Sequence, residues 1–183
     1  MLDVMRSRGF TLIELIITVV VLAVLLYVAL PNFAVWMQNS QIRTAGEAIL
    51  NGMQLARAEA IRRNVNVELR MDASSGWTAR VADSGETVQS RVAGEGSAAA
   101  LITIAPVGAT TVTFNSFGSL AANADGSTAI TEIKIDSPAI AAADSRELCI
   151  LVRTGGNVRL CDPQVFAPDT RTCGGPPAPA GCS

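Results

Sequence analysis

Cysteine is the residue type in this sequence best able to form covalent or metal bonds. The four cysteines all lie at or beyond position 149: Cys149, Cys161, Cys173 and Cys182. An even number confined to one end is typical of disulfides in an oxidising compartment, and a zinc site of four thiolates is the alternative. Because no Cys-x-x-Cys spacing occurs, the sequence favours disulfides and predicts that this end lies outside the cytoplasm.

The sequence alone allows three different ways to connect the four cysteines in two disulfides. Cys149 and Cys161 fall on opposite arms of a predicted hairpin, 147–153 with 157–161, across Thr154-Gly155-Gly156. A bridge between them would close a short loop and contribute about 3 kcal/mol or less. Cys173 and Cys182 would then hold the C-terminal tail.

Glu14 is a further candidate functional residue, because of its position in the sequence. It is the only charged residue between Phe10 and Met37, inside a run dense in Ile, Val and Leu. An ionised carboxylate is costly in an apolar phase unless it meets a cation or the interface. We therefore expect Glu14 to have a partner and a function.

Arginines near the C-terminus are the candidates for binding phosphate. A net charge of −2 gives no general attraction to nucleic acid, so binding would need a local cluster. Arg153, Arg159 and Arg171 could form one, although Asp162 and Asp169 lie nearby in sequence. Ordinary surface arginines are the alternative interpretation.

The residue types needed for catalysis are scarce. Histidine is absent and Lys134 is the one lysine, which removes the commonest general base and metal ligand. There is no nucleophile elbow and no phosphate-binding loop. We predict no catalytic residue, no metal site and no cofactor, and hence no enzyme.

The apolar run around Glu14 must itself form the element that positions it. Roughly 20 helical residues at about 1.5 Å each cross a bilayer, and this run is long enough. Arg6 and Arg8 precede it against Asp3, so the N-terminus is predicted to be cytoplasmic. No small-residue cleavage site follows Leu30, so the helix is predicted to be retained.

Beyond the span, apolar residues recur at three- and four-residue steps, which predicts that the helix continues to about Asn64 with one buried face. We expect Pro31 to bend this helix without ending it. Arg57, Arg62 and Arg63 are predicted to form a solvated face. The buried positions are predicted to be Ile42, Ala45, Ile49, Met53, Ala56 and Ala60.

Short alternating segments separated by turn residues predict antiparallel strands after the helix. The first strands look like a meander, and a loop is expected over 94–100. The predicted strands are 65–71, 77–82, 87–92, 101–107, 110–114, 132–136, 147–153 and 157–161.

The string Arg8-Gly9-Phe10-Thr11-Leu12-Ile13-Glu14-Leu15 ahead of an apolar helix resembles the class III signal of type IV prepilins and pseudopilins. The resemblance implies cleavage between Gly9 and Phe10 by a prepilin peptidase and N-methylation of Phe10. It also implies that Glu14 helps a subunit dock into a filament by pairing with the terminal amine of a neighbour. A simple signal anchor is the alternative.

Residues 55–64, Leu-Ala-Arg-Ala-Glu-Ala-Ile-Arg-Arg-Asn, and 114–118, Phe-Asn-Ser-Phe-Gly, are similar to the GspH/FimT group of minor pilins and pseudopilins. The resemblance implies an α+β, type IV pilin-like fold, in which a long N-terminal helix with a transmembrane first half packs on an antiparallel β-sandwich. The corresponding parts are a leader (1–9), a transmembrane assembly helix (10–37), its amphipathic continuation (38–64), a periplasmic β domain (65–162) and a disulfide-tethered tail (163–183).

Two functional hypotheses follow from the resemblance. The first is a structural minor pilin or pseudopilin of a type IV pilus or type II secretion system, anchored in the inner membrane and assembling with other pilins through its helix. The second is capture of double-stranded DNA, which some FimT-like proteins perform through a Gly-Arg-x-Arg motif. Here Gly156-Asn157-Val158-Arg159 keeps the second arginine, but Asn157 replaces the first, which removes a phosphate-neutralising charge.

Overall fold

The computed structural model describes residues 10–72, 74–174 and 182, and for positions 28 and 31 it describes the backbone alone. The predicted leader with Gly9, and tail positions 175–181 and 183, lie outside the described residues. The chain divides into two compact units, the first ending at Trp36 and the second covering Met37–Ser183.

One long helix precedes nine strands, and every strand pairing is antiparallel. The helix is α1 (Leu12–Arg63). The strands are β1 (Val67–Met71), β2 (Trp77–Val81), β3 (Thr87–Arg91), β4 (Leu101–Ala105), β5 (Thr111–Phe114), β6 (Leu120–Ala121), β7 (Glu132–Asp136), β8 (Leu148–Val152) and β9 (Val158–Cys161).

The apolar run occupies the first half of α1, and the helix continues past Pro31 as predicted. Among the described residues, no single straight helix is long and apolar enough to cross a bilayer. The pair Leu12–Tyr27 and Asn32–Arg63 meets the length and composition requirements together, with a bend of 43° between its members.

The second half of α1 buries the stripe that its periodicity predicts. Ile42, Ile49 and Met53, with the three stripe alanines, are fully buried. The helix ends at Arg63, and the next residue, Asn64, takes a left-handed φ of 56°. The amide of Val65 donates to the carbonyl of Ala60, and that of Asn64 donates to Ile61, which is the Schellman arrangement that closes helices at such a residue.

The strands form two sheets, and the chain crosses between them three times. The order in the first sheet is β3-β2-β1-β5-β6, and the order in the second is β4-β7-β8-β9. The predicted meander therefore holds for β1 to β3 only, because β4 leaves for the second sheet before β5 returns beside β1. The amide of Ile130 donates to the carbonyl of Thr111, which links the two sheets at one corner.

A single core joins the helix to both sheets. It contains the stripe of α1, the alternate residues Val67, Leu69, Val112 and Phe114 of the first sheet, and inward residues of β7 and β8. Burying this much apolar surface supplies the main driving force for folding. The long helix and the antiparallel sheets confirm the predicted α+β, pilin-like fold.

Two glycines allow α1 to approach the sheets closely. A Cβ at Gly46 would lie 3.2 Å from Leu160 Cδ1 in the second sheet, and one at Gly52 would lie 2.6 Å from Trp77 Cε2 in the first. Real Cβ atoms do not approach other atoms as closely as the second distance. Glycine at position 52 is therefore required by packing against the Trp77 indole.

Two expectations about the second unit were wrong or incomplete. β6 was not predicted, because a two-residue strand has no periodicity to read. Arg57 was assigned to a solvated face, but its Nε donates to the carbonyl oxygen of Gly118, 2.8 Å away.

Candidate functional site

The N-terminus of α1 carries a reciprocal pair of hydrogen bonds between Thr11 and Glu14. The amide of Glu14 donates to Thr11 Oγ1 at 3.2 Å, and the amide of Thr11 donates to Glu14 Oε2 at 3.4 Å. This is a capping box, in which two otherwise unpaired amides of the first turn are satisfied by side chains. The carboxylate also lies at the positive end of the helix dipole. Glu14 is therefore turned back towards Thr11, the residue that precedes the helix.

The rest of the first unit presents apolar side chains outward. Phe10 is 79% exposed and Leu22 is 56% exposed. Phe33 and Trp36 make a tilted ring contact with centroids 5.6 Å apart. A continuous apolar helical surface of this kind requires an apolar environment, either lipid or other apolar helices.

The four cysteines form two disulfides, which confirms the prediction of disulfides over a zinc site. The pairs are Cys149–Cys182 and Cys161–Cys173, with Cα separations of 6.0 and 4.9 Å. The expected bridge between Cys149 and Cys161 is wrong, although these residues are direct cross-strand partners. Cβ atoms of such partners lie about 4.5–5.5 Å apart, whereas a disulfide requires about 3.8 Å. Each strand cysteine therefore bonds to a tail cysteine.

The disulfides form a small second core on the face of β8 and β9 that points away from α1. Leu151 is buried there among the four cysteines. Arg159, directly opposite Leu151 on β9, donates from Nη2 to the carbonyls of Thr170 and Thr172 at 2.6 and 2.8 Å. The tail segment is thus held over the hairpin by covalent bonds and by one guanidinium.

The three arginines considered for DNA binding have different environments. Arg159 is engaged by the tail carbonyls. Arg171 forms an ion pair with Asp169 at 2.8 Å, and this contact lowers the pKa of Asp169 to about 2. Arg153 is exposed in the turn between β8 and β9. A phosphate would have to compete with these existing partners for Arg159 and Arg171.

The carboxylate of Glu132 and the sulfurs of Cys149 and Cys182 lie within 4.8 Å of one another, a spacing that could suit a metal ion. Zinc binds cysteine as the thiolate. Here the two sulfurs are bonded to each other, so neither is available as a thiolate. This group therefore does not favour a metal site.

Arg57 and Gly118 form a junction at the C-terminal end of α1. A Cβ at Gly156 would lie 1.8 Å from the carbonyl oxygen of Gly118, so the turn between β8 and β9 meets the turn between β5 and β6 backbone to backbone. The amide of Leu120 also donates to the carbonyl of Thr154. The helix and both sheets are therefore fastened together at this point.

Two of the structurally important residues were missed from the sequence. Thr11 could have been found, because Thr followed by Glu three positions later ahead of an apolar run is the sequence signature of a capping box. Arg57 could not, because its acceptor, Gly118, is distant along the chain and nothing local to α1 indicates it.

Comparison with known proteins was informative for the family and for the fold. The profile of a family described as type II transport protein GspH matches residues 45–156, and that of the prokaryotic N-terminal methylation motif matches residues 4–30. A crystal structure of the type IV minor pilin FimU of Pseudomonas aeruginosa is similar in fold, with a TM-score of 0.53 at 16% identity, over 70% of this chain and 97% of that one. A second crystal form of FimU gives 0.49 at 17% identity, over 67% and 97%. No curated protein sequence matches the chain.

Proposed function

The chain belongs to the GspH family of minor pilins and pseudopilins, and from that premise we propose that it assembles with other pilin-like subunits through α1 after cleavage between Gly9 and Phe10. The observation that carries the proposal is Glu14, the only charged residue between Phe10 and Met37. Its carboxylate is aimed at the start of the helix, where cleavage creates a new amine.

The proposed partner of Glu14 is the terminal amine of Phe10 on a neighbouring subunit. In a single chain the carboxylate already caps its own helix through Thr11. That cap is exposed, and a helix N-terminal cap typically contributes only about 1 kcal/mol. An ion pair in an apolar surrounding is stronger, so docking exchanges the cap for a pair between subunits.

We place the helix in the inner membrane before assembly, with the N-terminus cytoplasmic and the second unit periplasmic. The methylation-motif match over residues 4–30 supports an anchored pilin, and Arg6 and Arg8 support the orientation. Two disulfides in the second unit support an oxidising compartment. The partners in this proposal are the prepilin peptidase, the membrane and other pilins.

The test of processing is the intact mass of the purified protein from its own membranes. The proposal expects a chain that begins at Phe10 and carries one added methyl group on its terminal amine. A chain that begins at Met1, or one cleaved after the apolar run, would refute it. Substitution Gly9→Leu is the control, because it should leave expression unchanged and leave the leader attached.

Capture of DNA is not proposed. Two of the three arginines considered for it have partners within the described part of the chain, Arg159 with the tail carbonyls and Arg171 with Asp169. No observation favours that activity over the structural role, which the family membership already supports.

A further inference from the structure

Two exposed apolar surfaces lie at opposite ends of the second unit, and neither is explained by folding or by assembly through the apolar half of α1. One, here called the distal patch, consists of Ile61 and Phe117 with the neighbouring Arg57 and Arg153. The other, here called the alanine loop, is residues 138–144, Pro-Ala-Ile-Ala-Ala-Ala-Asp. Asn39 and Ile61, which mark the two ends on α1, are roughly 30 Å apart at about 1.5 Å per residue.

The distal patch displays an aromatic ring on a rigid turn. Phe117 is 86% exposed and Ile61 is 51% exposed, and both adjoin Gly118, because a Cβ there would lie 2.8 Å from Ile61 Cδ1. Asn115 Oδ1 accepts hydrogen bonds from the amides of Phe117 and Ser119 at 3.0 and 3.1 Å. These hydrogen bonds already order the turn, so the Phe117 ring can bind a partner without a further cost in conformational entropy. Preordered aromatic side chains of this kind are typical anchors of protein interfaces.

Positive charge borders this patch. Arg57 is fixed at Gly118 by its Nε. Arg153 is exposed in the turn whose Gly156 packs on Gly118. A partner of this surface should therefore offer apolar side chains beside a carboxylate.

The alanine loop has that composition. Pro138, Ala139 and the three alanines 141–143 are exposed, and Asp144 beside them is exposed as well. The loop is fixed to the start of the second unit, because Asn39 Nδ2 donates to the carbonyl of Asp144 at 2.9 Å and Asn39 Oδ1 accepts from the amide of Arg146 at 2.7 Å. Small side chains on a fixed loop give a shallow surface on which a phenyl ring can pack.

We propose that the distal patch of one copy of this chain docks on the alanine loop of a second copy, with Phe117 on the alanines and Arg153 beside Asp144. The two surfaces differ and lie at opposite ends, so the contact is head to tail and can repeat along a row. It rests on the proposed assembly role, because a surface this small needs the effective concentration that subunits displaced along a shared filament supply.

The test uses the full-length protein in filaments sheared from its own cells, with a photo-reactive benzoylphenylalanine at position 117. Irradiation should give a crosslinked dimer of this chain, mapped by mass spectrometry to residues 138–144. The matched control is the same substitution at Val107, which is 100% exposed in the turn after β4 and should not crosslink to that loop. Arg153→Glu should lower the dimer yield about tenfold, and adding Asp144→Arg should restore it.

A third position separates failure of this contact from failure of the proposed function. Leu22, on the exposed apolar face of α1, reports helix-mediated assembly when it carries the same photo-reactive group. If position 22 crosslinks to other pilin helices but 117 gives no dimer, or gives one mapped elsewhere, the head-to-tail contact is overturned and the proposed function stands. If position 22 gives no crosslink to another pilin-like chain, both are overturned.

Discussion

Arg57 on α1 donates a hydrogen bond of 2.8 Å from Nε to the carbonyl oxygen of Gly118, in the turn between β5 and β6. Since the β8–β9 turn packs on the same glycine through Gly156, this bond fastens the helix to both sheets at one point. The helical pattern assigned the Arg57 guanidinium to a solvated face. In the structure it instead stabilises the packing of α1 on both sheets.

Replacing Arg57 with methionine should therefore destabilise the second unit. The substitution keeps an apolar stem but leaves the Gly118 carbonyl without its charged donor, and hydrogen bonds to charged groups contribute about 1.5–3 kcal/mol. Urea unfolding of residues 37–183 measures the loss. Arg43→Met is the control, because that side chain is 76% exposed and its ion pair is with the exposed Glu47, so it should change stability by less than about 0.5 kcal/mol. Equal effects of the two substitutions would contradict the account.

Gly52→Ala should destabilise the same unit although alanine is the better helix former. A Cβ at this position meets the Trp77 indole at 2.6 Å, and overpacking of this kind typically costs about 1–3 kcal/mol. The emission of Trp77 should shift as the indole is displaced. Gly155→Ala is the control, since nothing lies within 4 Å of a Cβ there. Stabilisation by Gly52→Ala would show that the helix does not approach β2 this closely.

Peptide mapping without reduction should recover Cys149 linked to Cys182 and Cys161 linked to Cys173. The bridges span 33 and 12 residues, so each should contribute roughly 3 kcal/mol through loss of chain entropy in the unfolded state. Replacing either pair with serines should lower the urea midpoint, and the unaffected bridge serves as the internal control. A peptide joining Cys149 to Cys161 would contradict the structure and restore the hairpin pairing.

Glu59 should give the second unit an acid-dependent part of its stability. Hydrogen bonds from Arg62 and Arg63 lower the pKa of Glu59 to about 2, against an ordinary value of 4.5. Because the folded pKa is the lower one, this stabilisation is complete above about pH 5 and is lost as the pH falls towards 2. Glu59→Gln should therefore reduce stability at pH 7 and make no difference near pH 2. Carboxyl chemical shifts that titrate near 4.5 would refute the pairing.

Local patterns in the sequence predicted the elements well and their assembly poorly. The stripe from Ile42 to Ala60 fixes the buried face of α1, because a helical period needs only neighbouring residues to be read. The crossing of β4 to the second sheet depends on pairings between distant segments, and no local period records those. β6 was not predicted because its two residues, Leu120 and Ala121, are too few to show alternation.

The difference between local patterns and contacts of distant segments also explains which predictions about the candidate sites were correct. Cysteine count and compartment favour disulfides from composition alone, whereas the pairing depends on where the tail lies over β8 and β9. Glu14 stands out in the sequence because it is a single charge in an apolar run. Its capping bond with Thr11 was also readable, since a capping box is a local motif.

The most direct measurement of the central claim is the fraction of this chain recovered in sheared filaments rather than membranes for Glu14→Gln, alongside Glu14→Ala and Thr11→Ala. Glutamine retains an oxygen that can accept the Thr11 amide, so it preserves the cap and removes only the charge. We expect both Glu14 variants to lose assembly by about tenfold or more, a difference of about 1.4 kcal/mol, while Thr11→Ala assembles nearly normally. Normal assembly of Glu14→Gln would show that the carboxylate serves its own helix and not a neighbouring amine.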